Sequence, residues 1–172
     1  MLQPVTIDIV IKIAAAIGFG SLLGLERTFA GKGAGMRTYA MVSLGAAVFV
    51  IISETILSQF PSAAQASANP LIIPSAIITG IGFIGAGLMI FRDQRITGLT
   101  TAAGLWVAAA LGIASGYGLF NLALVATVGG LLVFTLLWFI ETKLKRFSYY
   151  HNTLNVAEQI AEQAEQNKMN GL

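Results

Sequence analysis

The chain has 172 residues, 56% of them hydrophobic and 10% charged, with a formal net charge of +2 and a mean hydropathy of +0.78. Water-soluble domains carry about 25% charged residues, so this composition excludes an ordinary soluble globule. The lack of cysteine excludes disulfides, thiolate metal sites and cysteine nucleophiles. With no basic stripe interleaved with aromatics, a nucleic-acid partner is not expected either.

A helix crossing the hydrocarbon core needs about 20 mostly apolar residues, and five segments qualify. The N-terminus, MLQPVTID, lacks the positive region of a signal peptide, so the first run, Ile7 to Leu25, reads as an anchor kept in the mature protein. The second runs from Thr38 to Leu57. The third runs from Leu71 to Phe91, with Pro74 in its first turn, where proline is tolerated. The fourth, Leu99 to Ser115, is expected to be the shortest, and a tight Gly116-Tyr117-Gly118 turn leads into the fifth, Phe120 to Ile140. Beyond His151, Leu154, Ala157, Ile160, Ala161 and Ala164 fall at helical spacing opposite Glu158, Glu162 and Glu165, which reads as a short cytoplasmic helix or a frayed, solvated tail. The expected organisation is an all-α membrane protein, with a five-helix transmembrane domain over 1–142 and a short helical tail over 143–172.

Basic residues in short loops set orientation. The first loop holds Arg27, Lys32 and Arg37, the third Arg92 and Arg95, and the segment after the fifth helix Lys143, Lys145 and Arg146; the second and fourth loops hold none. The N-terminus is therefore expected outside and the C-terminus in the cytoplasm.

Shifting the sequence by 63 residues aligns Gly24-Leu25 with Gly87-Leu88, Gly35 with Gly98, Thr38 with Thr101 and Ala46-Ala47 with Ala109-Ala110. This suggests an internal repeat of helices 1–2 and 3–4 in the same orientation, although Gly/Ala-rich sequence also produces such matches by chance.

Helices in lipid associate through small residues that let backbones approach. Ala16, Gly20 and Gly24 form such a stripe on the first helix, Gly82 and Ala86 on the third, Ala108, Gly112 and Gly116 on the fourth, and Ala126 and Gly130 on the fifth. Packing is the preferred reading, with contacts to a second copy also open. Gly80-Ile81-Gly82-Phe83-Ile84-Gly85 spells GxGxxG, but no strand precedes it and no acidic residue follows about 20 positions on, as dinucleotide binding requires. Its glycines, with Gly87, are better read as thinning the helix for a neighbour or a pore wall.

Charges within spans are costly and point to function by default. Asp8 and Lys12 lie one turn apart and are expected to pair; Glu54 joining Asp8 in a cation site is a weaker reading. At the other end of the spans, Glu26-Arg27 closes the first helix, Arg37-Thr38 opens the second, and Arg92 and Arg95 precede Gly98, Thr100 and Thr101. Arginine's planar fork suits carboxylates and phosphates, yet these charges also serve simply to set topology. No nucleophile, base and oxyanion donor group together, and His151 stands alone in the tail, so no enzyme, cofactor or metal site is expected.

Gly24-Leu25-Glu26-Arg27, Gly35-Met36-Arg37-Thr38, the glycine run from Gly80 to Gly87 and Gly98-Leu99-Thr100-Thr101-Ala102-Ala103-Gly104-Leu105-Trp106 resemble, in order and spacing, the MgtC/SapB family of bacterial inner-membrane proteins over about residues 5 to 140. The resemblance implies a five-helix membrane domain and places the matching positions at Glu26, Arg27, Arg37, Thr38, Arg92, Gly98, Thr100 and Thr101. It links some members to adaptation to low magnesium and to action on the proton-translocating ATP synthase. Members of the MgtC branch carry a folded C-terminal domain, whereas only a short helical tail is expected here, so the shorter SapB-like form is the better match. The leading expectation is a non-enzymatic regulator acting through its basic face on another membrane complex. The rivals are a small transporter or channel along the third helix, and a lipid-binding scaffold using the arginines.

Overall fold

The computed structural model describes residues 7–60, 69–92 and 95–144, with the backbone alone at 90–92 and 95. The helices are α1 (Ile7–Phe29), α2 (Met36–Leu57), α3 (Ile72–Leu88), α4 (Leu99–Gly116) and α5 (Phe120–Leu132), the last leading into a π-helical turn over Val133–Leu137. Among the described residues, four helices are long and apolar enough to cross a membrane: α1, α2, α4 and the helix Phe120–Leu144; α3 is a shorter apolar helix. The described residues form an all-α membrane architecture apart from one small hairpin. The tail expected beyond Leu144 lies outside them.

Helix ends depart from hydropathy in two places. α1 runs a full turn past Leu25, because Glu26 and Arg27 are good helix formers even though they end the apolar run. It stops where Gly31 takes φ 64°. There the Lys32 N–H donates to the Arg27 carbonyl at 3.0 Å and the Gly31 N–H to the Thr28 carbonyl at 3.1 Å, the paired closure of a glycine-terminated helix. In contrast, α3 ends at Leu88, three residues before the expected Phe91. Ile90 and Phe91 lie instead in strand β1 (Ile90–Arg92), antiparallel to β2 (Arg95–Thr97), with Ile90 opposite Thr97 and Arg92 opposite Arg95. The expected order of lengths reverses as a result: α3 has 17 residues and α4 has 18.

Gly98 turns the hairpin into α4 with φ 89°, and a Cβ there would collide with the Leu88 carbonyl oxygen. At the far end of α4, Gly118 has φ 72°. The Leu119 N–H donates to the Ala114 carbonyl and the Gly118 N–H to the Ser115 carbonyl, which turns the chain directly into α5.

Within 1–131, one compact unit, α2 packs along both α1 and α4, α1 also touches α4, and α3 lies mainly on α4. Lipid tails are as apolar as the helices, so close backbone approach and hydrogen bonds must hold such a bundle. A Cβ on Gly20 would stand 2.7 Å from Ser43 Cβ and 2.8 Å from the Tyr39 carbonyl oxygen, and one on Gly112 would collide with the Ser43 carbonyl oxygen. Ser43 Oγ donates to the Ala16 carbonyl oxygen at 2.8 Å, satisfying a hydroxyl that is fully buried. Leu23, Tyr39, Val50, Leu105, Ala108 and Leu111 fill the remaining space, each fully buried. The second unit, from Leu132, carries Lys143, whose Nζ lies 5.1 Å from the centre of the Phe139 ring.

Candidate functional site

The end of the bundle that gathers Glu26, Arg27, Gly98 and Thr101 is built from three helix termini. On the last turn of α1, Arg27 is only 4% exposed and donates through Nε to the Glu26 carboxylate. It is not the solvated loop charge expected of a topology marker, because the extra turn of α1 carries it into the packed bundle. Tyr39, from the start of α2, is fully buried. The charges of both Arg27 and Glu26 act on its phenol, and its hydroxyl makes a long hydrogen bond, 3.4 Å, to the Thr101 carbonyl oxygen on α4. Tyr39 thus links α1, α2 and α4.

Thr28 completes the joint. The N-cap of α2 is Gly35, which offers no side chain, so one of the unpaired N–H groups of the first turn needs a partner from elsewhere. Thr28 Oγ1 accepts from the Met36 N–H at 2.9 Å and donates to the Gly24 carbonyl at 3.2 Å. The contact is close: a Cβ on Gly24 would stand 2.7 Å from Tyr39 Cβ and 2.8 Å from Met36 Cα, and one on Gly35 would collide with Thr28 Oγ1. Neither Thr28 nor Tyr39 was selected from the sequence. A tyrosine near the end of a span is a recognisable signal, since its polar tip seeks a partner when buried; a cap supplied from eight residues away leaves no local pattern.

Of the other expected positions, Thr101 enters this joint through its backbone carbonyl. Arg37, Thr38 and Thr100 are exposed, and Thr101 is half-buried. Arg92 and Arg95 are backbone register partners in the hairpin. The arrangement is therefore a rigid, internally neutralised centre, Glu26–Arg27–Tyr39, beside an exposed cation and hydroxyls that are available for contact.

The glycines of α3 differ from those of α1 and α4. A Cβ on Gly80, Gly82 or Gly87 meets nothing within 4 Å, and one on Gly85 meets only Ala102 Cβ, at 3.6 Å. On either side of α3 is an open groove. One, of about 620 Å³, lies against α2; the other, of about 550 Å³, lies against α4 beside Ala102 and Trp106. Both are lined by apolar side chains apart from Thr38. Hydroxyls within the spans turn back on helix carbonyls: Ser43 to Ala16, Thr79 to Ser75 and Thr127 to Ala123. Among the described residues, no group of three or more His, Asp or Glu side chains is placed to hold a metal ion.

At the opposite end, Lys12 Nζ sits 3.3 Å from Asp8 and 3.1 Å from Glu54. The reading of Asp8 and Glu54 as a cation site is thereby corrected: the lysine ammonium occupies the position between the carboxylates and joins α1 to α2. Tyr117, just past α4, donates to the Pro70 carbonyl at 2.9 Å. Burial, and then the charge of Glu54, push its phenol above the ordinary tyrosine range.

With this geometry in hand, comparison with known proteins gives a consistent result. The MgtC family matches residues 13–143. The chain is 38% identical over 146 residues to YhiD of Escherichia coli (strain K12), whose name proposes it as a magnesium transporter, covering 84% of this chain and 67% of that protein. It is 40% identical over 116 residues to the protein MgtC of Brucella abortus (strain 2308), covering 67% of this chain and 45% of that one. To MgtC of Salmonella typhimurium (strain 14028s / SGSC 2262) it is 39% identical over 119 residues, covering 69% and 48%. The chain thus spans about two thirds of YhiD and less than half of either MgtC. No solved structure matches it.

Proposed function

The chain belongs to the MgtC family of multi-pass proteins of the bacterial inner membrane, and we propose that it is a non-enzymatic regulator whose basic end contacts another membrane complex. One observation carries the proposal. At the basic end Arg27 is buried with Glu26 while Arg37, Thr38 and Thr100 stand exposed, whereas at the opposite end Lys12 is already engaged by Asp8 and Glu54. The spans between offer apolar grooves, and the Ser43 and Thr127 hydroxyls there already donate to carbonyls. A conducting path for a hydrated cation needs polar groups to replace its water shell, and these surfaces supply few. The excess of Lys and Arg in the loops at the basic end supports a cytoplasmic location for that end by the positive-inside rule. The partner class follows from the family resemblance: a proton-translocating ATP synthase, engaged in adaptation to low magnesium.

The test is ATP-driven proton pumping in inverted bacterial membrane vesicles, with and without the protein. The proposal predicts that the wild type lowers pumping and that an equally expressed Arg37→Gln variant does so far less. Unchanged pumping at equal synthase levels overturns it.

The name of YhiD favours a second reading, a small magnesium transporter with its path along the glycine face of α3. On that reading substitutions at Gly82, Gly85 or Thr79, and not at Arg37, would carry the loss of function.

A further inference from the structure

The groove between α2 and α3 has a definite length and a charged end. Its α2 wall runs from Thr38 to Phe49 and its α3 wall from Ile73 to Ile84. Each wall is 11 residue steps, about 17 Å at 1.5 Å per residue. A hydrocarbon core is about 30 Å thick, so the groove is shorter than a full span. A spanning helix from a second copy would call for roughly twice that length.

Arg37 stands at the open end. It lies in the first turn of α2, one helical turn before Met41 and beside Thr38, both of which line the groove. Arg37 is exposed and makes no ion pair among the described residues. Along the floor, a Cβ on Gly45 or Gly80 would meet nothing within 4 Å, so the space beside both helices is open where a methylene chain would run.

We propose that this groove binds one anionic phospholipid, its phosphate held by Arg37 and one acyl chain laid between α2 and α3. A guanidinium fork matches phosphate oxygens in two parallel hydrogen bonds. The lining is apolar beyond Thr38 and suits hydrocarbon alone. The site is independent of the regulator reading, because the lipid is held whether or not the basic end meets a partner. If both hold, the bound headgroup becomes part of the surface that the partner meets.

The experiment is native mass spectrometry of the full chain in detergent micelles, offered equal amounts of phosphatidylglycerol and phosphatidylcholine. One basic residue near a membrane surface favours an anionic lipid by about fivefold, and the wild type should retain phosphatidylglycerol over phosphatidylcholine by that factor. Arg37→Gln should bring the ratio to about one while lipid is still held. Gly45→Leu and Gly80→Leu, on opposite walls and each entering open space, should reduce retention of both lipids; two sites keep the test valid if one variant folds poorly. Equal retention of the two lipids by the wild type, a preference that survives Arg37→Gln, or retention that survives both glycine variants overturns the proposal. So does a dimer that disappears in the glycine variants, which would make a second copy the occupant.

Discussion

Gly112 on α4 and Gly82 on α3 are the same residue in the same kind of small-residue stripe, yet their surroundings are opposite. A Cβ on Gly112 would enter the Ser43 carbonyl oxygen and crowd Ala46 Cβ at 2.8 Å, while one on Gly82 meets nothing within 4 Å. Two helices from one chain thus use glycine differently: α4 to seat its backbone on α2, α3 to leave room beside it. The lesson is that a stripe of small residues specifies a thin helix, and the partner, if there is one, is decided by the rest of the fold.

Substitutions can break this comparison. Gly112→Ala should be the most damaging, at about 3 kcal/mol, the upper end of overpacking costs, because the neighbour is backbone and cannot turn aside. Gly20→Ala, with Ser43 Cβ and the Tyr39 carbonyl 2.7 and 2.8 Å away, should cost somewhat less, about 2 kcal/mol. Thermal unfolding in micelles measures both. Gly82→Ala should reverse the sign and stabilise by up to about 1 kcal/mol, the usual gain of alanine over glycine inside a helix. A loss of similar size there would mean that α3 has a packed neighbour after all. Ser43→Ala, which removes the Ser43–Ala16 hydrogen bond, should cost only about 0.6 kcal/mol, typical of such bonds within membranes.

How much of this was legible follows from what hydropathy can see. The spans were, because 20 apolar residues in succession have few alternatives in water or lipid. The end of α1 was not: Glu26 and Arg27 leave the apolar run but stay in the helix, and only the positive φ of Gly31 stops it. The hairpin was missed for the converse reason. Ile90 and Phe91 look like span continuation by hydropathy, yet they are β-branched or aromatic residues that pair with Arg95–Thr97 just before Gly98, whose left-handed backbone starts α4. Gly35 and Gly98, aligned by the 63-residue shift, are both N-caps, but Gly35 is extended and Gly98 left-handed. Residue identity alone does not distinguish the two. At the candidate site, Glu26 and Arg27 were visible as charges, and the burial of Arg27 and Tyr39 was not, because it depends on a joint between three helix ends distant in sequence.

That joint sets the functional contrast. The basic end combines a locked centre with exposed groups, while the spans present grooves suited to hydrocarbon. The regulator account requires that the protein by itself moves no magnesium. Purified protein reconstituted into sealed liposomes containing a magnesium-sensitive dye tests this directly. The account predicts uptake no faster than in protein-free liposomes at any outside concentration. Saturable uptake that scales with protein and is slowed by substitution at Gly82 or Gly85 would contradict it and identify α3 as the path.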